Sequence, residues 1–211
     1  MKLAHSLFLL GVIMSTTASN AAVTYQQAER RVEAQQPDGS DSKSTVALGS
    51  WVESVTFGSP GLGVGSSQTS TLSETAIDFV GACTGDVFTS SSATLFARVR
   101  LTEQTLITFN GSFVRFGVPG GSEISASIVG GDYNFSFAAL DDQSPNGSFG
   151  ASDVLLQPGD YDINLLSRSI NFEVPALTFN LTFTTVPAPG AAGLAMAGLG
   201  AAGLRRSRRE D

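Results

Sequence analysis

The sequence predicts an all-β chain whose main body is an antiparallel β-sandwich of jelly-roll type. Three observations predict it: short strands recur with alternating faces, turn residues separate them, and no long helical period interrupts them. Alternation is plainest in ATLFARVRLT, where Leu95, Ala97, Val99 and Leu101 share one face while Arg98 and Arg100 take the other. Tyr133, Phe135 and Phe137 align in the same way, as do Leu177, Phe179, Leu181 and Phe183. Burying one such leucine or aromatic side chain contributes roughly 1.5–3 kcal/mol.

Taken in order, the chain opens with Lys2, an apolar stretch from Leu7 to Met14, and Ser19-Asn20-Ala21. That is the pattern of a secretory signal peptide over 1–21, cut after Ala21. Its apolar core is well short of the roughly 20 residues a spanning helix needs. Residues 22–185 are expected to form one domain with a sizeable core. Residues 24–36 fit a short helix and an extended segment equally. Residues 37–44 (PDGSDSKS) have loop composition. A strand-like segment runs from Thr45 to Phe57, and Gly58 to Ser70 reads as a long glycine- and serine-rich turn.

Strands are predicted at 71–80, 93–101, 104–110, 112–118, 123–129, 132–140, 151–156, 160–166 and 176–185. Turn chemistry falls at Asn110-Gly111, Pro119-Gly120-Gly121, Gly130-Gly131-Asp132, Pro145-Asn146-Gly147 and Pro158-Gly159-Asp160. In VLLQPGDYD (154–162), Pro158 and Gly159 set the turn and Tyr161 starts the next strand, a structural role.

Composition excludes several function classes. Residues 22–185 carry 17 acidic against seven basic side chains, a net of about −10. Nucleic-acid binding needs clustered cations, so none is expected here. An acidic surface instead suits a soluble exported protein, or one that meets polysaccharide through divalent cations. The single cysteine, Cys83, permits no intramolecular disulfide and reads as a buried small hydrophobe. The only histidine, His5, leaves with the signal peptide, taking with it the usual zinc sites and the commonest general base. No GxSxG, phosphate-binding loop or HExxH occurs. No catalytic residue and no cofactor are therefore expected.

Two carboxylate pairs remain. Asp141 and Asp142 lie in a turn-rich loop ending at Gly147, while Asp160 and Asp162 sit two apart on one strand face. Each pair is a candidate for part of a calcium shell, against the simpler reading of solvated turn carboxylates. Trp51, beside Val52 and Val55, fits a core or edge-strand role rather than sugar stacking. The sequons at Asn110, Asn146 and Asn180 are expected by chance.

The final segment, 186–211, has three parts in order. VPAPG is followed by an apolar stretch from Ala191 to Leu204 within a hydrophobic segment 190–204, then by Arg205, Arg206, Arg208 and Arg209. As a helix, the 14 residues from Ala191 to Leu204 cover about 21 Å against a hydrocarbon core of about 30 Å, a marginal span. The arginines favour the cytoplasmic side. At these residues the chain resembles the PEP-CTERM sorting signals of exported proteins from Gram-negative-type bacteria. Pro187 and Pro189 match the two prolines of that signal, Ala188 stands where its glutamate usually lies, and Gly190 follows. The resemblance implies anchoring of this segment in the bacterial membrane, transient or lasting, processing by an exosortase-type membrane enzyme, and an exopolysaccharide or biofilm setting. The sequence thus points to an exported cell-surface or extracellular-matrix structural protein. A carbohydrate- or calcium-binding surface module is the alternative, and a small polysaccharide-acting hydrolase the second.

Overall fold

The computed structural model describes residues 22–58, 63–86, 88–116, 121–139 and 145–186. The signal peptide, the sorting tail and the pair Asp141–Asp142 lie outside them. Twelve strands follow one another: β1 (Val23–Gln36), β2 (Gly39–Thr45), β3 (Gly49–Phe57), β4 (Val64–Leu72), β5 (Ala76–Thr84), β6 (Ser90–Leu101), β7 (Thr105–Phe116), β8 (Glu123–Gly130), β9 (Tyr133–Ala139), β10 (Asn146–Leu156), β11 (Gly159–Ile170) and β12 (Val174–Thr185). They form a first sheet ordered β2-β1-β6-β11-β8-β9 and a second ordered β10-β7-β12-β5-β4-β3. Every pairing is antiparallel.

The pairing nests. β8 joins β9, β7 joins β10, β6 joins β11, and β5 joins β12. The chain from β5 onward is therefore one long hairpin, folded at Gly131-Asp132 and rolled so that successive pairs fall in alternate sheets. That is the jelly-roll path. The first four strands widen it: β1 and β2 extend the first sheet beyond β6, and β3 and β4 extend the second beyond β5.

Alternation holds where it was plainest. Leu95, Ala97, Val99 and Leu101 are buried, as are Leu177, Phe179, Leu181 and Phe183. Tyr133, Phe135 and Phe137 are half-buried against the core. These rings help close the β9/β10 side, where Phe137 stacks on Phe149 at 4.2 Å between centroids and Phe109 meets Phe135 at 4.6 Å. The β2/β3 side closes differently, with Lys43 Nζ 2.8 Å from Glu53 Oε2 and the Phe57 ring over Gly39.

Several local expectations are corrected. Residues 24–36 are extended, in β1. The loop expected at 37–44 shrinks to the Pro37-Asp38 turn, because Ser40–Lys43 pair with β1 as a polar edge strand. The long turn expected at 58–70 ends by Val64, where β4 begins, so the strand expected at 71–80 straddles β4 and β5. Asn110-Gly111 is no turn but the middle of β7, which runs unbroken from 105 to 116. Gly111 is there to make room: a Cβ on it would lie 2.2 Å from Cζ of Phe149. Asn146 and Gly147 likewise belong to β10, opposite Val114 and Phe113.

Candidate functional site

The outer face of the first sheet is shaped by a difference in side-chain size between adjacent strands. On β6 the outward residues Ser90, Ser92 and Thr94 are small. The neighbouring strands place longer groups opposite them. Register sets Gln35 and Ile170 beside Ser90, Glu33 and Arg168 beside Ser92, and Arg31 and Leu166 beside Thr94. In the next row Glu29 and Asn164 flank Phe96. The hydroxyls form a floor, β1 and β11 form walls, and the result is a trough.

Three hollows make up this trough. The largest, about 480 Å³, is lined by Glu29, Arg31, Thr94, Phe96, Ser125 and Asn164 among others. It shares Glu33, Ser92 and Leu166 with a hollow of about 250 Å³ that reaches Arg168. That one shares Gln35 and Ser90 with a third, about 290 Å³, lined by Pro37, Phe88 and Ile170. From Ser90 to Phe96 the floor runs about 20 Å at the usual strand rise. Its walls mix charge of both signs with amides: Arg31 Nη2 lies 3.0 Å from Glu33 Oε2, and Asn164 Nδ2 donates to Ser127 Oγ at 3.3 Å.

Beyond Phe96 the trough is closed by two arginine–carboxylate forks. Arg98 donates to both oxygens of Asp162 at 2.7 and 2.8 Å, and Arg100 to both of Asp160 at 2.8 and 2.9 Å. The calcium candidates Asp160 and Asp162 do share one face, as their spacing required, but their oxygens are committed to guanidinium groups. The hydrogen bonds from Arg100 and Arg98 hold the two carboxyls below the ordinary carboxylate range. A general acid needs the opposite shift, so this pair is not poised for glycoside hydrolysis. Among the described residues no three His, Cys, Asp or Glu side chains gather as a metal cluster would.

Other residues singled out in the sequence are structural. Tyr161 is buried, and its hydroxyl donates to the Gln157 carbonyl at 2.9 Å. This tyrosine corner pins the Pro158 turn where the chain crosses from the second sheet to the first. Cys83 is buried in the core and donates to the Ser167 carbonyl at 3.1 Å; burial pushes its thiol up to about 11. Trp51 packs on the core beneath the Arg30 guanidinium, 5.7 Å from its ring centroid.

Arg30 itself was missed. It is 1 % exposed and donates to the Gly49 carbonyl at 2.8 Å and to the Ala47 carbonyl, clasping the link between β2 and β3. The signal was present: Arg30 is in phase with Ala28, Val32 and Ala34, all of which point inward. The trough left no comparable signal in any one segment.

No family model matches this chain, and no curated protein matches it. Solved structures similar to it include TmCBM61 in complex with β-1,4-galactotriose, with a TM-score of 0.37 and 11 % identity over 51 % of this chain and 71 % of that one. A structure of infectious bursal disease virus, Gt strain, has a TM-score of 0.31 and 11 % identity over 82 % of this chain and 61 % of that one.

Proposed function

We propose that the protein is an exported matrix component whose jelly roll holds a neutral polysaccharide strand in the trough over β6. The observation that carries this reading is a floor about 20 Å long from Ser90 to Phe96, its hydroxyls at Ser90, Ser92 and Thr94 lying between walls of amides and charged groups, with Phe96 at its closed end. Such a surface offers donors and acceptors in a row, as a chain of sugar hydroxyls requires, and has no deep apolar pocket for a compact ligand. The walls carry Glu29, Arg31, Glu33 and Arg168, so neither sign of charge dominates and an uncharged ligand fits. Two sequence patterns support the location in this reading: a signal-peptide pattern over 1–21 for export, and the PEP-CTERM-like tail for delivery through an exosortase-type enzyme to the cell surface or exopolysaccharide.

Titration calorimetry of the full chain with neutral hexasaccharides tests the binding half. Binding that vanishes in Ser92→Trp, which fills the floor, supports it; a full-chain protein that binds none contradicts it. Intact mass of protein recovered from cells tests the delivery half. A mass ending near Pro187–Pro189, lost when Arg205, Arg206, Arg208 and Arg209 become Ser, is the expected result. A mass running through Asp211 contradicts processing.

A further inference from the structure

We propose that Phe88 is the stacking platform of the trough, holding the apolar face of a sugar ring where a bound chain leaves the open end. The inference rests on the saccharide reading above. Phe88 is 79 % exposed, yet its backbone, like that of Asn171 facing it, is held in an unusual conformation. Its φ is +58°, a left-handed conformation that bulky side chains rarely adopt.

The surrounding loops enforce that conformation. Thr89, its neighbour, is 5 % exposed and donates through Oγ1 to the Asp86 carbonyl at 2.7 Å, while its Oγ1 accepts from Asp86 N at 2.6 Å. Phe88 N donates to Asn171 Oδ1 at 3.1 Å, and Asn171 N returns a bond to the Thr89 carbonyl at 3.0 Å. Gly85 lies so near the opposing turn that a Cβ there would come within 1.9 Å of the Asn171 carbonyl oxygen. Two loops are thus laced together, and their combined effect is to push one aromatic ring into solvent.

Strain of this kind persists only where surrounding structure over-determines it, and it marks candidate sites. The ring is well placed for one. It lines the hollow formed with Pro37, Ser90 and Ile170, and Gln35 and Ser90 continue from there into the middle of the trough. An aromatic face is electron-rich and attracts the slightly positive C–H groups of a pyranose, while Gln35 and Ser90 meet its hydroxyls. Because the backbone that carries the ring is already held, stacking on it orders only the side chain's two torsions.

The test is calorimetry and thermal melting of the full chain, using hexasaccharides of β-1,4-linked glucose and of β-1,4-linked galactose. Phe88→Gly is expected to weaken binding about tenfold and to raise Tm by about 2 °C, because glycine adopts this φ freely. Phe88→Trp should keep affinity within about threefold. If Phe88→Gly binds like the wild type while Ser92→Trp loses binding, the platform is wrong and the trough reading stands. If the wild type binds neither probe, both are wrong. A lower Tm in Phe88→Gly assigns the ring to packing and overturns the proposal.

Discussion

The two outer faces of the sandwich solve the same solubility problem in different ways. The first sheet turns out Glu29, Arg31, Glu33, Arg98, Arg100, Asp160, Asp162 and Arg168, six of them in three ion pairs, around a trough. On the second sheet Asp78 is the one charged side chain among the outward positions of β3, β4, β5, β7 and β12, and Asn180 donates to it. The rest is mostly threonine, serine and valine, with small Gly65, Ala76, Ala82 and Ala176 and the larger Leu106 and Phe116 among them; this face carries a hollow of about 220 Å³ by Gly65, Ala82 and Val174, not a continuous trough. Unequal side-chain lengths along β1, β6 and β11, rather than charge alone, give the first sheet its continuous trough. The second sheet works inward, where Phe109, Phe113, Phe149 and Phe179 fill the β9/β10 side of the core.

Tryptophans placed on the two faces give the largest separation. Ser92→Trp should abolish saccharide binding, while Thr178→Trp on the second sheet leaves it unchanged, both read by calorimetry. Equal losses would erase the distinction. Gly111→Ala should next show the inward role of the second sheet: overpacking against Phe149 costs about 1–3 kcal/mol, a fall in Tm of about 2–4 °C for each kcal/mol, with affinity per folded molecule retained.

These two positions also show what the sequence made legible. The alternation of β6 and β12 and the Pro158–Tyr161 corner were visible in single segments. Gly111 was misread because a glycine that admits a ring looks the same as one that admits a turn; only the position of Phe149, from a strand 35 or more residues later, separates the two. β2 was missed because a short polar edge strand avoids the apolar alternation that would reveal it. The trough was illegible for a related reason. Its floor and walls come from β6, β1 and β11, and only register reveals that Ser92 lies between Glu33 and Arg168.

Smaller effects follow. Cys83 lines the interior of the second sheet with its thiol pushed up to about 11, so iodoacetamide at pH 8 should leave it unmodified in the folded protein and label it on unfolding. Labelling under native conditions would mean that β5 opens readily. The smallest effect is at the closed end of the trough. Arginine pairing holds Asp160 and Asp162 below their ordinary value of 3.8. Their contribution is therefore complete above that value and is lost as pH falls through the depressed folded values. The Tm gap between wild type and the Asp160→Asn, Asp162→Asn double variant should be slight near pH 7, shrink below pH 4, and fall with salt because the pairs are exposed.

The central claim is that the hydroxyl floor over β6 is the binding surface. Backbone amide NMR of the full chain, titrated with a neutral hexasaccharide, reads this directly. The account predicts shifts confined to Glu29–Gln35, Phe88–Phe96, Ser125 and Asn164–Ile170, with the amides of β4, β5 and β12 unmoved. Shifts centred on the threonine and valine face of the second sheet, or none at all, would contradict it.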